Sequence, residues 1–550
     1  MKSKRLMLSL GMLGIALMLG LGAGARTEPT AVDDKSPSAS SQEGVEIMAR
    51  GPIHEAFAEP AIRAPRASPV IAKEPPKSID ELPPDQKPEG DNVQWIPGYW
   101  AWDDDTSDFL WVSGTYRTVP PGRHWVPGYW NQADEGWQWV AGLWADQAKA
   151  DLELLPAPPD PIEEAVSPAP DSASIYEPGC WMYRDNRYQW RNGFWLANRA
   201  NWIWSPASYT WTPGGYAFND GYWDHSFQNR GLLFAPVNIA RRFWGQSDWS
   251  YQPNYVVNDG FLMSSLFVRP NYSHYYFGDY YGSGYDRLGF VPWTDFRYGR
   301  AIGDPLFGYY RWQNRDNAGW GRDMRQLYAA RRDDAAARPP RTLALQNTYI
   351  QNINNNTANV NNVTNIKNMT ALTSLSRVDN TMVKLQPVTK AQQVEVQKTA
   401  SQFREFSAQR GKSEAQAGKN IQPSAQPGEL SKPVRVALPA TRPAPVKIAN
   451  GSNAKAPPPR PVMPEPNTKP AVASSPATHH EALPRPGSQQ VKPAAAPAAA
   501  AKPPVAQARP AAPAAPPHPA PAQAAPAHPA PAQAAPAHPA PEHKEGKKDK

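Results

Sequence analysis

The amino-acid sequence predicts a mainly β fold, in which antiparallel meanders of an aromatic repeat are flanked by long disordered regions rich in proline and alanine. All 21 tryptophans of the 550-residue chain lie between Trp95 and Trp320, whereas many of its 64 prolines crowd the two ends. Most tryptophans recur in one short unit, aromatic-x-x-small-x-aromatic. A common step between the unit starts indicates that one supersecondary element was copied along the chain. The units are 95–100, 111–116, 125–130, 139–144, 176–181, 190–195, 204–209 and 218–223.

The step within each array, which is about 14 residues, suits one short strand and one turn. Tryptophan and tyrosine favour pleated, half-buried surfaces, and turn residues such as those of 103–108 and 131–136 fall between the units. Consecutive strands joined by short turns pair antiparallel, so each array is expected to form a meander of about four strands. Buried aromatic rings can stabilise such a sheet without a conventional aliphatic core.

The fourth residue of the unit is glycine in seven of the eight units and Ala207 in the other. Two explanations stay open. The missing side chain leaves a gap in which a neighbouring indole can lie against bare backbone, or the glycine supplies the positive φ of a β-bulge that turns the rings to one face.

The first residues have the pattern of a secretory signal peptide, predicted to span 1–25. Basic residues in 2–5 precede an apolar run over 6–21 and a small-residue site, Ala23-Gly-Ala25. The run is short for a transmembrane span, which favours export followed by cleavage over a membrane anchor. We therefore expect a periplasmic, envelope or extracellular protein with no transmembrane span in the mature chain.

Composition divides the rest of the chain. Residues 26–91 are predicted to be a disordered leader, and 146–173 a proline-rich linker between the first array (92–145) and the second (174–225). Residues 226–330 read as a Tyr/Trp-rich continuation of the core, with a helix over 323–332. An Asn-rich segment with a possible helix over 388–410 fills 331–411, and a disordered Pro/Ala-rich tail fills 412–550.

The units resemble the WxxGxW (YxWGxW) repeat of secreted bacterial proteins. Units 95–100, 125–130 and 139–144 match it fully, whereas those starting at Trp111, Tyr176 and Phe218 replace one tryptophan with another aromatic residue. Ala207 departs further, because it stands where the glycine belongs. The resemblance implies an exported protein of the cell envelope or surface, and the family, being largely uncharacterised, supplies no catalytic residues.

No pattern in the sequence indicates a catalytic, cofactor-binding or metal-binding set. His124, His225 and His274 lie far apart in the predicted core, without zinc-ligand spacing. The single cysteine, Cys180, cannot form an internal disulfide and is expected to be a small buried residue. Nucleic acid is not an expected partner, because no basic strip accompanies the aromatic residues. We therefore expect a protein that is not an enzyme.

Two functions remain. The first is a non-catalytic envelope protein whose aromatic β-repeats act as a structural or interaction scaffold, with envelope polysaccharide, peptidoglycan or another envelope protein as candidate partners. The alternative is a carbohydrate- or peptidoglycan-binding module in which a row of exposed rings stacks on sugars. The candidate stacking residues are Trp100, Trp130, Trp144, Trp195 and Trp223.

Overall fold

A computed structural model of the chain describes residues 42–299, 302–354, 369–379, 383–420, 432–437 and 457–467. All of these lie within the first of two compact units, Met1–Ala473. The predicted signal peptide, the start of the predicted leader, residues 355–368 and 380–382 of the Asn-rich segment and most of the tail lie outside the described residues.

Residues 42–91 pack against the repeats, and here the structure differs from the predicted disordered leader. Their composition cannot form a core of its own, but Ile53 and Phe57 bury their side chains in the main core, beside residues from the repeats and from 226–330. Ile79 belongs to the same cluster. The four strands of this segment are β1 (Val45–Ile47), β2 (Gly51–Pro52), β3 (Asp80–Glu81) and β4 (Gln86–Pro88).

The predicted antiparallel β structure of the repeats is confirmed, and the units pair two by two in a nested order. In the first pair, β5 (Val93–Ile96), β6 (Tyr99–Asp103), β7 (Asp108–Val112) and β8 (Thr115–Thr118) form one long hairpin that is broken halfway. Strands β6 and β7 pair beside the turn, and β5 and β8 pair beyond the break. The break consists of Pro97-Gly98 on one side and Ser113-Gly114 on the other. We call this element a broken hairpin.

Three further broken hairpins repeat this arrangement, with the inner two strands paired and the outer two paired. Strand β13, from the linker, interrupts the series. The strands are β9 (Arg123–Val126), β10 (Tyr129–Ala133), β11 (Gly136–Val140), β12 (Leu143–Asp146), β13 (Asp151–Leu155), β14 (Ser174–Glu177), β15 (Cys180–Arg184), β16 (Arg187–Arg191), β17 (Phe194–Ala197), β18 (Trp202–Ser205), β19 (Ser208–Thr212), β20 (Gly215–Asn219) and β21 (Tyr222–His225).

The aromatic residues of the units form cross-strand ring pairs. In every broken hairpin, the first ring of each unit faces the last ring of its partner unit, as Trp100 faces Trp111 and Trp95 faces Tyr116. The centroids of these eight ring pairs lie 4.9–5.5 Å apart. Directly opposed aromatic pairs stabilise antiparallel strands beyond the area they bury.

The motif glycines provide a gap and not a bulge. None of the seven has a positive φ. A Cβ at these positions would lie 2.1–2.7 Å from the first aromatic side chain of the partner unit, which is too close for any side chain. Of the two explanations that the sequence left open, the gap for a neighbouring ring is therefore the one that the structure supports.

Residues 226–330 continue the core with short strands and helices. The helix predicted over 323–332 is confirmed as α5. The strands are β22 (Gly231–Leu233), β23 (Val237–Ile239), β24 (Ser250–Tyr251), β25 (Tyr255–Val257), β26 (Leu266–Arg269), β27 (His274–Phe277), β28 (Val291–Pro292), β29 (Arg297–Gly299) and β30 (Ile302–Gly303). The helices are α1 (Phe227–Arg230), α2 (Asp259–Ser264), α3 (Ser283–Arg287), α4 (Pro305–Gln313) and α5 (Trp320–Asp333).

The segments predicted as linker and tail also contribute structure. Strand β13 pairs with β20 of the fourth broken hairpin and with a strand from the predicted tail. The helix predicted over 388–410 runs from Lys390 to Asn420 and so continues through Gly411, where a Cβ would lie 2.9 Å from the ring of Tyr129. These last elements are α6 (Leu343–Asn354), β31 (Leu372–Ser374), β32 (Leu385–Pro387), α7 (Lys390–Asn420) and β33 (Val434–Ala437).

The gap predicts a large difference between two glycine substitutions. Gly142→Ala would place a Cβ 2.3 Å from Cζ2 of Trp125, and we expect it to lower the free energy of unfolding by about 2–3 kcal/mol through overpacking. Gly260 in α2 is the matched control, since a Cβ there meets nothing within 4 Å. Gly260→Ala should be neutral or stabilising by about 0.5–1 kcal/mol. Urea unfolding of both variants measures the difference, and equal effects would contradict the gap.

Candidate functional site

A glutamate side chain binds at the break of each hairpin. It accepts two hydrogen bonds from one repeat unit, from the indole N–H of the first tryptophan and the backbone N–H of the fourth residue. The distances from carboxyl oxygen to donor are 2.5–3.1 Å. We call these residues the anchor glutamates: Glu81 binds Trp111 and Gly114, Glu55 binds Trp139 and Gly142, Glu164 binds Trp190 and Gly193, and Glu177 binds Trp204 and Ala207.

Glu81 shows the contact in its fullest form. One oxygen accepts from Trp111 Nε1 at 3.1 Å and from Gly114 N at 2.8 Å, and the other accepts from Gly98 N at 2.7 Å. The carboxyl group therefore joins both sides of the break. These backbone N–H groups have no strand partner at the break, so that burial without an acceptor would cost the full desolvation of each donor.

The sequence prediction missed the anchor glutamates, although a short signal accompanies them. Each is the third residue of an Ile-x-Glu sequence, which begins at Ile53, Ile79, Ile162 and Ile175. Three of the four come from the segments predicted as leader or linker, and Glu177 comes from a repeat unit. The signal could have been found by comparing these segments with one another, but so short a pattern carries little information on its own.

At the break of the second broken hairpin, side chains of α7 donate hydrogen bonds to the backbone carbonyl groups. Arg410 Nη1 donates to the carbonyl oxygens of Pro127 at 2.8 Å and Ala141 at 3.0 Å, and Ser407 Oγ donates to Gly128 O at 2.7 Å. The guanidinium of Arg410 is itself buried and paired with Glu414 at 2.8 Å. This break therefore binds one acidic and one basic group, which come from distant parts of the chain.

Burial dominates the electrostatics of the anchor glutamates. It raises the pKa of Glu81 and of Glu177 to about 7, although the hydrogen bonds from their donors lower it. Arg191, which lies 2.9 Å from Glu177 Oε1, also lowers the pKa of Glu177. Burial raises the pKa of Glu55 too, against the nearby His274.

The anchors explain where the repeat tolerates substitution. A tryptophan stands first in each of the four units that bind an anchor glutamate, because only an indole offers an N–H at that reach. Tyr176 and Phe218, which replace the first tryptophan, both belong to the partner units that supply no indole donor. Ala207 keeps its backbone N–H bonded to Glu177 at 3.1 Å, so the loss of the glycine leaves the anchor in place.

The five candidate stacking tryptophans do not form an exposed row. Trp100, Trp144 and Trp223 are only 3%, 2% and 7% exposed. Trp130 is half-buried, donates from Nε1 to Trp100 O at 2.8 Å and packs on Trp139. Trp195 is also half-buried, and its side chain lines a surface cavity. The cross-strand pairing turns the other rings inward.

The other residues considered for chemistry serve packing. His274 is buried between Tyr99 and Glu55, with Tyr99 Oη 2.8 Å from its Nε2, and burial lowers the pKa of His225 to about 4. Burial raises the pKa of the Cys180 thiol to about 12. In the described part of the chain, no three His, Cys, Asp or Glu side chains are grouped to hold a metal ion. A search of the described helices finds none that is long and apolar enough to span a membrane.

The fold and its anchored breaks define a repeat protein built from aromatic hairpins. A comparison with family models matches the WXXGXW repeat over residues 90–115, 125–145 and 199–223. The chain therefore carries repeats of the WXXGXW family, as the sequence indicated. The third broken hairpin, whose first repeat unit starts at Tyr176, lies outside the matched residues yet has the same kind of anchor and ring pairs. No curated protein and no solved structure matches the chain.

Removing an anchor glutamate should destabilise the fold. Glu81→Ala leaves three buried donors without an acceptor and opens a cavity, so we expect the free energy of unfolding to fall by about 3 kcal/mol or more. The matched control is Glu74→Ala at an exposed position of the same segment, which should stay within about 0.5 kcal/mol. Chemical denaturation of both variants checks this, and a similarly small effect at Glu81 would contradict an anchoring role.

The raised pKa of Glu81 predicts a pH dependence of defined sign. Its pKa is about 7 in the folded chain and near 4.3 when unfolded, so the folded state holds the proton more tightly between these values. Ionisation of Glu81 therefore lowers stability as pH rises from about 4.5 to about 7, by roughly 1.4 kcal/mol per pH unit inside that window.

The measurement is the free energy of unfolding of the wild type minus that of Glu81→Gln, taken from pH 5 to pH 8. Subtraction cancels the other titrating groups, including His54 and His225, whose pKa values burial lowers to about 4. We expect the difference to fall by about 2–3 kcal/mol from pH 5 to pH 8 and then to level off. A constant or rising difference would show that Glu81 is ionised throughout.

Proposed function

We propose that this chain is a non-catalytic protein, exported to the cell envelope, whose aromatic β-repeats act as a structural or interaction scaffold. The observation that supports the scaffold role best is the anchoring of the hairpins by other segments. Glu55, Glu81 and Glu164 lie outside the repeat units that they bind. The repeats are thereby joined to the leader and the linker, which is the construction expected of a rigid spacer or platform.

The proposal of a non-catalytic protein rests on how the buried titratable groups are used. Glu55, Glu81 and Glu177 bind donors of the repeats, and His274 is buried against Tyr99 and Glu55. General acids and bases need access to a substrate within hydrogen-bond reach. Groups that are committed to packing in this way favour a structural role.

The N-terminal sequence is the main support for export. The basic residues, the apolar run over 6–21 and the Ala23-Gly-Ala25 site have the pattern of a cleaved signal peptide. The repeat family, which is found in secreted bacterial proteins, adds to this. An envelope polymer or another envelope protein is the partner we propose for the scaffold.

Expression of the full chain in a bacterial host tests the location. We expect a mature N-terminus after Ala25 and recovery in the envelope or periplasmic fraction, with release from membranes by salt and without detergent. Leu17→Arg, which interrupts the apolar run, should leave an uncleaved chain in the cytoplasm. An uncleaved wild-type chain that only detergent releases would indicate a membrane anchor, and a cytoplasmic wild type would contradict export.

A further inference from the structure

A cavity of about 680 Å³ opens beside the third broken hairpin. One wall is formed by the linker and this hairpin, which contribute Ser172, Tyr176 and Trp195. The opposite wall is formed by α4, the start of α5 and β29. The volume falls within the range of small-molecule binding sites.

The lining of the cavity is strongly basic. Its charged side chains are one aspartate, Asp304, and five arginines, which are Arg297, Arg311, Arg315, Arg322 and Arg325. Asp304 is buried and committed to the fold, because it caps α4 through Phe307 N and accepts from Tyr275 Oη at 2.7 Å.

The arginines differ in how far they are already paired. Arg322 lies 3.3 Å from Asp323, and Arg325 lies 3.8 Å from Asp295, both on the surface. Arg297 and Arg311 make no ion pair with any described residue. Exposed ion pairs are weak, so the cavity presents unused positive charge, which the dipole at the start of α5 reinforces.

Two polar atoms of lining residues are buried and do not open into the cavity. Thr294 is 4% exposed, and its hydroxyl has no hydrogen-bond partner among the described residues. The same holds for the indole Nε1 of Trp312, on which Arg315 stacks at 5.0 Å. Because both atoms are buried, they are not available to a ligand in the cavity, and its lining presents charged and aromatic side chains instead.

The aromatic lining supplies flat apolar faces next to the charge. Trp195 and Tyr176 form a tilted pair, with centroids 5.1 Å apart, and Trp312 lies across the cavity on α4. Gly308, Arg311 and Trp312 follow one another at helical spacing, which places them on one face of α4. The site thus combines aromatic faces and arginines.

We propose that this cavity binds a short oligosaccharide that carries carboxylate groups. Its pyranose rings would lie against Trp195 and Tyr176, and its carboxylates would pair with Arg297 and Arg311. A simple inorganic anion would use the arginines but leave most of the cavity and its aromatic wall without contacts. This ligand adds to the proposed scaffold role and does not depend on it.

Isothermal titration of the full chain with a galacturonate trimer tests the proposal, with the methyl-esterified trimer as the uncharged match. We expect the acid form to bind at least tenfold more tightly than the ester and more weakly at high salt. The double substitution Arg297→Ala with Arg311→Ala should reduce affinity about tenfold or more, since each charged hydrogen bond contributes strongly. Trp195→Ala should also weaken binding.

Arg187→Ala with Arg287→Ala, at exposed positions that do not line the cavity, is the control and should bind as the wild type does. Circular dichroism and unfolding of each variant establish that it is folded. Equal binding of the ester would overturn the role of charge. Displacement of the trimer by inorganic phosphate or a nucleotide at the same concentration would overturn the saccharide, and no binding by any probe would overturn the site. None of these results bears on export or on the anchored breaks.

Discussion

A carboxyl group placed in the break of a β-hairpin is the constraint on which the rest of this structure depends. The break interrupts the ladder and leaves N–H groups inside the core, where each needs an acceptor. The anchor glutamate supplies it, and in the first hairpin the bare backbone of the fourth residue leaves room for it: a Cβ on Gly114 would lie 2.8 Å from Glu81 Oε2. The break, the small residue beside it and the glutamate that binds there therefore form one structural unit. The segment that carries the glutamate must pack on the hairpin.

The first tryptophan of an anchored unit has two tasks that no other residue combines. Its ring fills the gap above the partner glycine and faces the last ring of the partner unit, as Trp139 does at Gly128 and Trp130. Its Nε1 donates to the anchor glutamate at the same time, at 2.7 Å for Trp139 and Glu55. Phenylalanine and tyrosine can perform the first task but cannot place an N–H at this depth. The repeat is consequently strict where an anchor binds and relaxed in the partner unit.

Much of the local structure could be predicted from the sequence, because it depends on near neighbours. The units, their antiparallel strands and the helix α5 all follow from spacing and residue type, whereas a gap and a β-bulge at the motif glycine remained equally open. The nested pairing did not follow, since a constant step between units fits a serial meander equally well. Exposure of Trp100 or Trp144 could not be read either, because an aromatic residue on a strand suits a buried face and a solvent face alike. The composition of residues 42–91 predicted disorder for a related reason. Ile53 and Glu55 contact residues far along the chain, as Glu55 contacts Trp139, and such contacts cannot be predicted from a local sequence pattern.

The third broken hairpin differs from the others in a way that connects architecture to binding. Its anchor, Glu164, comes from the linker, and the residues that follow in the same linker, including Ser172, form a wall of the cavity. The anchor that closes the hairpin therefore also fixes the position of that wall relative to Trp195. In the first two hairpins, the anchors come from residues 42–91, and Trp100 and Trp144 pack inward. At the third hairpin, by contrast, the indole of Trp195 is half-buried and lines the cavity, whose basic residues come from other elements of the chain.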